Sequence, residues 1–182
     1  DLLTRGTTSR SAEQLADEIE RLGASLAGFA GRNSFGLQVS GLSDDADVLL
    51  EVMADCLSHS TFPADEVEKQ RTIQQAGIRQ QREQPMFVGQ EALREALFPN
   101  HPYRFNPSGT EASVGGLTRA DLQAHFQQYV NRSNLVLAIC GDVTVEQARA
   151  LAERHLSALP AGRRPARQQA AAAPALPARV EK

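Results

Sequence analysis

Apolar side chains recur at helical spacing in "SAEQLADEIERLGA", where Leu15, Ile19 and Leu22 share one face. Ser11 is placed to cap that helix, Gln14 three residues on completes a capping box, and Gly23 supplies the stop. The period then shortens to two. "ASLAGFA" and "NSFGLQVSGL" read as strands about a Gly31-Arg32-Asn33 turn. In the second, Phe35, Leu37 and Val39 alternate with Ser34, Gly36, Gln38 and Ser40, the pattern of a sheet with one buried face. Helical spacing returns after Ser43, which is read as a cap with Asp44 and Asp45 in the favoured first turn. Leu49, Leu50, Val52, Met53, Cys56 and Leu57 form the apolar stripe of that helix. After Pro63 a long helix runs through "RTIQQAGIRQQRE" with only Val67, Ile73 and Ile78 apolar, so it buries a narrow seam and wets the rest.

Pro85 breaks that helix, and "MFVGQEALREALF" forms another, ended by Pro99. "NHPYRFNPSGT" reads as a loop, and Thr118 with Asp121 caps "RADLQAHFQQY". "NLVLAICGDV" is the strongest buried-strand candidate, a continuous apolar run ended by Gly141-Asp142. Thr144 caps the last helix, "VEQARALAERHLSAL". From Pro160 the chain is rich in Ala, Pro, Arg and Gln with almost no large apolar side chain. The predicted organisation is an α+β domain over residues 1–159, with a mixed or antiparallel sheet and helices packed on one face, followed by a linker or tail over 160–182. Three strands make a poor layer for this many helices. A fragment is therefore expected, with at least one strand and a helix preceding residue 1.

The 182 residues suffice for one domain of ordinary size. A 41% apolar and 23% charged composition with net charge -3 is that of a globular protein and excludes a strongly basic nucleic-acid binder. Arg163, Arg164, Arg167 and Arg179 are too dispersed to make a strong patch. No apolar run approaches the ~20 residues of a membrane-spanning helix. Cys56 in a helical run and Cys140 at a strand end both read as small buried core residues, not as a disulfide pair. The Ala/Arg/Gln bias points to a GC-rich bacterial genome and leaves cytoplasm and periplasm both open.

Candidate chemistry is sparse. None of the four histidines stands in HxxxH, HxxEH or HxxE spacing. His59 and His155 lie near helix ends, where a positive charge is favoured. His125, beside Phe126, reads as a surface or packing residue. His101, in "HPYR", is retained as a remote site candidate, its alternative being a hydrogen bond that anchors the loop. GxSxG, GxGxxG and P-loop motifs are absent. Asp44, Asp45 and Asp47 could hold a cation, but they sit at a helix start, where carboxylates are expected anyway. The residues taken alone mark no active site.

Three longer segments change that picture. "LLTRGTTSRSAEQLADEIERLGASL", "HPYRFNPSGTEASVGGLTRADLQAHF" and "NLVLAICGDVTVEQARALAERHL" together resemble the pitrilysin/insulinase family of zinc metallopeptidases, which includes the mitochondrial processing peptidases. They occur in the family's order and cover residues 1–160. The resemblance implies one half of the pitrilysin/processing-peptidase (LuxS/metallohydrolase-like) fold. Active halves of that family carry an inverted HxxEH zinc motif on a helix just before the segment equivalent to "LLTRGT", and a third ligand, a Glu, comes from a later helix. The Glu of the motif activates the zinc-bound water.

Carried over onto this chain, the family's second His falls on Asp1 and the later Glu on Gly77, or on Ala76 one residue away. Neither Gly nor Ala can bind zinc. A shifted register would offer Glu68 or Glu83 instead. The resemblance therefore implies a zinc-motif-lacking, inactive-type domain that binds no zinc itself, with zinc in a catalytic half or partner subunit. Its substrate would be a peptide or unfolded polypeptide, held by the edge strand in residues 25–33 through Ala27, Gly28, Phe29 and Ala30. The plainer reading of that strand is a buried hairpin packed on the helix over 11–22. Two alternatives accompany this reading: an active zinc metalloendopeptidase whose HxxEH lies upstream, and a non-proteolytic scaffold like the core subunits of the respiratory cytochrome bc1 complex.

Overall fold

Local hydrogen bonds set most of the helix starts. The computed structural model describes residues 1–166. Within them α1 (Ala12–Arg21) begins with Ser11 and Gln14 as a reciprocal capping box and ends at Gly23, whose φ of +59° is the left-handed stop that a side chain would disfavour. β1 (Ser25–Ala30) and β2 (Phe35–Ser40) follow as an antiparallel pair in register from Ser25 opposite Ser40 to Ala30 opposite Phe35. Gly31 N–H donates to the Ser34 carbonyl at 2.7 Å and closes the connection. The hairpin and its turn are where expected, with β1 one residue shorter than the expected segment and β2 two residues shorter at each end.

α2 (Ala46–His59) and α3 (Ala64–Arg82) come next, then α4 (Pro85–Leu97), α5 (Glu111–Gly116), α6 (Arg119–Tyr129) and α7 (Val145–Leu156). Pro85 occupies the first turn of α4, where its missing N–H is harmless. Thr118 with Asp121 caps α6 and Thr144 caps α7 as read from the sequence, and Gln147 completes a capping box with Thr144.

The described residues group into two units, one of Asp1–Gln70 with Thr118–Pro165, the other built on Arg71–Leu117. The core of the first is α2. Leu49, Val52 and Cys56 pack with Leu15 and Ile19 of α1, while Leu50, Met53, Ala54 and Leu57 pack with Val130, Leu156 and Leu159. Leu37 and Val39 of β2 lie against both clusters. Burying each such aliphatic side chain contributes roughly 1.5–3 kcal/mol, so this one helix carries a large share of the stability. A third cluster joins Leu3, Phe62 and Val67, with Leu122 and Phe126 of α6 against it. Phe62 takes a φ of +50°, and Arg119 holds it there by donating to the Phe62 and Thr61 carbonyls at 2.7 and 2.8 Å. Within the second unit Ile78 is buried and Ile73 is 55% exposed, so the apolar seam of α3 is narrower than its composition implies.

Four expectations are corrected. Ser43 does not cap α2: it opens a 3-10 turn, Ser43–Asp45, in which Asp45 N–H reaches the Leu42 carbonyl, and α2 starts only at Ala46. Residues 135–140 are no strand among the described residues, because their extended backbone finds no ladder partner. Cys140, in the outward phase of that segment, is exposed and not a core residue, whereas Cys56 is fully buried. The segment over 100–110 is not all loop: it holds a 3-10 turn, Pro102–Arg104, capped by His101, and at its end Thr110 and Ser113 form the capping box that starts α5. The fold is α+β, helix-rich with a small antiparallel sheet. The first residues of the predicted tail are tied down, since the Pro160 and Gly162 carbonyls accept from Arg132 N–H and Ser133 Oγ at 3.0 and 2.6 Å. Residues 167–182 lie outside the described residues.

Candidate functional site

β1 is the element on which the sequence places substrate contacts. β2 covers one of its edges, and no other strand of the described residues pairs with it. Ala27, Phe29 and Ala30 are exposed and Gly28 is half-buried. The start of the chain comes to this strand: a Cβ on Gly28 would lie 2.6 Å from the main-chain nitrogen of Asp1. Only glycine admits that approach. Asp1 itself opens the 3-10 turn Leu2–Thr4, its carbonyl accepting from Thr4 N–H and Oγ1 at 3.1 and 3.0 Å. Asp1 and Gly28 are therefore brought together. Phe29 lies across its register partner Gly36, where a Cβ would stand 3.1 Å from two ring atoms, and stays 50% exposed.

Gly77 stands in α3, in the second unit. A Cβ built there meets nothing within 4 Å, so no packing demands glycine. The Gln- and Arg-rich flank around it is less solvated than its composition suggests. Arg71 Nη1 donates to the Val114 and Gly115 carbonyls at 2.7 and 2.8 Å, which closes off the end of α5. Gln74 and Gln75 donate to the Ser108 and Glu111 carbonyls, and Arg79 pairs with the Glu111 carboxylate at 2.6 Å. Sequence reading missed this role, because the acceptors are main-chain carbonyls more than thirty positions away.

The donor set does not fit zinc at these positions. Gly77 offers no ligand atom, and among the described residues no three His, Cys, Asp or Glu side chains are grouped to hold a metal. His101 does what its plainer reading requires: Nδ1 accepts from Tyr103 N–H at 3.1 Å and the ring packs on Phe98 and Tyr103. His125 packs between the Phe35 and Tyr129 rings. Asp47 binds Arg154 and His155 at 2.7 and 2.8 Å, both on α7.

The densest polar cluster was invisible in the sequence. Arg10 donates through Nε to Glu18 at 2.9 Å, through Nη2 to Glu51 at 2.7 Å and through Nη1 to Asp55 at 2.9 Å. Asp55 Oδ2 also accepts from Thr7 and Ser9 hydroxyls at 2.7 and 2.9 Å, and Oδ1 meets His59 Nδ1 at 2.9 Å. The Glu51 hydrogen bond, with those of Glu18 and Asp55, raises the Arg10 guanidinium pKa against its desolvation. Burial alone would raise the Asp55 carboxyl. Thr7, Ser9, Arg10 and His59 together outweigh burial and hold it below the usual carboxylate value. The cluster presents no metal cage. It ties the Thr7–Ser11 turn to α1 and α2, and so fixes the segment that carries Asp1 toward β1.

With this geometry in hand, the family model described as Insulinase (Peptidase family M16) matches residues 1–111. The chain belongs to peptidase family M16. The family model described as Peptidase M16 inactive domain matches residues 116–182. Among curated proteins, this M16 chain is 24% identical over 140 residues to the uncharacterized zinc protease YmxG of Bacillus subtilis, covering 77% of this chain and 34% of that protein. It is 27% identical over 158 residues to cytochrome b-c1 complex subunit 1, mitochondrial, of Mus musculus, covering 87% of this chain and 33% of that protein. The crystal structure of a peptidase M16 inactive domain from Pseudomonas fluorescens superposes with a TM-score of 0.86 at 27% identity, over 93% of this chain and 42% of that one. The M16 chain spans about a third of the length of these curated relatives.

Proposed function

We propose that this chain is a zinc-free domain of an M16 peptidase, which supplies peptide-binding surface and helps to close the chamber around a peptide held for a catalytic half or partner subunit. The observation that carries the reading is Gly77. The resemblance assigns a zinc-ligating Glu to that position, the helix there is intact, and the space around it is open, so no packing requires glycine there. The exposed edge of β1 supports the peptide-binding part: main-chain pairing to an extended peptide needs an accessible strand edge and few bulky side chains. The likeness to a structure described as an M16 inactive domain points the same way.

The test is the zinc content of the purified protein by plasma mass spectrometry, followed by peptide hydrolysis with and without an M16 subunit bearing HxxEH. The expected result is essentially no zinc and no hydrolysis alone, with hydrolysis on mixing. One zinc per chain, held by its own residues and lost on their substitution, would favour an active peptidase and refute the proposal. A second reading, a non-proteolytic scaffold, is favoured by the likeness to cytochrome b-c1 complex subunit 1. It predicts a stable complex with the HxxEH-bearing subunit and no gain in hydrolysis.

A further inference from the structure

The histidines of this chain do not all meet a proton in the same way. His59 Nδ1 lies 2.9 Å from the Asp55 carboxylate and His155 Nε2 lies 2.8 Å from that of Asp47, so a second ring proton strengthens both contacts. His125 packs between the Phe35 and Tyr129 rings. His101 differs in kind. Its Nδ1 accepts a hydrogen bond from the Tyr103 main-chain N–H at 3.1 Å and so caps the 3-10 turn Pro102–Arg104. A ring nitrogen that accepts from an N–H keeps its lone pair, so the neutral ring with its proton on Nε2 is the form that fits. A proton added at Nδ1 turns the acceptor into a donor that faces a donor, and the cap bond is lost.

The turn is gathered on this one residue. His101 N–H donates to the Phe98 carbonyl at 3.2 Å, and the His101 carbonyl accepts from Arg104 N–H at 3.1 Å. The His101 ring stands near-perpendicular to that of Tyr103, with centroids 4.5 Å apart, and 5.9 Å from that of Phe98. The titratable and charged groups about it are Tyr103 and Arg104 of the turn and Glu91, Arg94 and Glu95 of α4, against which the turn packs. Arg104 is committed to the Pro99 carbonyl at 3.0 Å, and among the described residues no carboxylate is bonded to the ring. Attraction of an imidazolium to the neighbouring ring faces favours the closed turn, but it does not restore the acceptor that the turn uses. We propose that His101 makes residues 98–105 an acid-opened turn, closed while the ring is neutral and released when Nδ1 is protonated, with the half-buried Phe98 and Tyr103 rings uncovered. Histidine changes charge between about pH 5 and 8, so the switch works in mild acid. The inference is independent of the peptidase reading, since it uses no residue of the β1 edge and nothing at Gly77.

The test is amide hydrogen exchange of the 182-residue chain at about pH 7.5 and about pH 5.5, each rate divided by the intrinsic rate at that pH. The Tyr103, Arg104 and Phe105 amides should lose protection by about tenfold or more on acidification, while the amides of the α4 interior keep theirs. His101→Asn, whose side-chain oxygen can cap without titrating, should hold the protection at both pH values. Long-range proton–nitrogen NMR of the wild-type ring at neutral pH should show the Nε2–H tautomer, and this reading does not need the variant to fold. Four results would overturn the proposal: unchanged protection of these amides on acidification, an equal loss in His101→Asn, a loss shared by the α4 interior, or the Nδ1–H tautomer at neutral pH.

Discussion

Gly77→Ala should stabilise the chain. Position 77 is in the interior of a helix of 19 residues, its φ is not in the left-handed region, and a Cβ would meet nothing within 4 Å. Two effects decide the magnitude. Alanine removes the extra unfolded-state freedom of glycine, and its propensity in a helix interior is better by about 0.5–1 kcal/mol. Steric cost, the usual opposing effect, is absent where there is no neighbour to displace. The net is therefore a gain of about 0.5–1 kcal/mol. With a urea slope of about 2 kcal/mol per M, the unfolding midpoint should rise by about 0.3–0.5 M with the slope unchanged. Gly77→Glu, which returns a carboxylate to the position, should gain slightly less, about 0.5 kcal/mol, by the same reasoning. Equilibrium urea unfolding followed by circular dichroism measures both. A midpoint that falls on Gly77→Ala would mean that something packs against this glycine and that its presence has a structural cause.

Asp55→Asn removes a carboxylate that accepts four hydrogen bonds, one from a guanidinium, and should cost about 2–4 kcal/mol at neutral pH. Because the folded-state pKa of Asp55 is depressed, this contribution is present above its unfolded value of about 3.9 and is lost as pH falls through the lower folded value. The gap between the wild-type and Asp55→Asn urea midpoints should thus narrow as the pH is lowered from neutral through the unfolded value toward the lower folded one, and a gap that widens on acidification would refute the assignment. Gly28→Ala should cost about 1–3 kcal/mol in urea unfolding, since its Cβ would lie 2.6 Å from Asp1 N, whereas Gly89→Ala in open space on α4 should be neutral to stabilising in the same assay. Of the two thiols, Cys140 should react with Ellman's reagent at once, and Cys56, whose pKa burial pushes up to about 12, only on unfolding; two fast thiols in the native protein would contradict its burial.

What could be read from the sequence divides by the range of the interactions. Ser11 with Gln14, Thr118 with Asp121 and the Thr144 cap were legible because a helix cap closes within three residues and needs nothing else. The hairpin was legible for the same reason, as its strands are joined by only four residues. The apolar stripe of α2 was legible because burial follows helical period wherever two faces are covered. Residues 135–140 have the composition of a strand, but a ladder is a property of two segments, and the second is not among the described residues. Cys140 was misread along with them, because its burial was inferred from that ladder. Arg10 looked like one more surface charge, since its partners Glu51 and Asp55 lie 41 and 45 positions on.

The candidate site obeys the same division, and this is why a resemblance located it when chemistry did not. A motif search recognises ligands, and at Gly77 there is none to recognise. What the structure shows is scaffolding within each unit: in the second, Arg71, Gln74, Gln75 and Arg79 clamp the 108–115 segment; in the first, Arg10 and Asp55 fix the turn that leads from Asp1, and Gly28 admits Asp1 to β1. These contacts serve the fold and need no metal. Fold and side-chain identity are separable at position 77 because a Cβ there meets nothing within 4 Å, so a change of residue neither opens a cavity nor forces a clash.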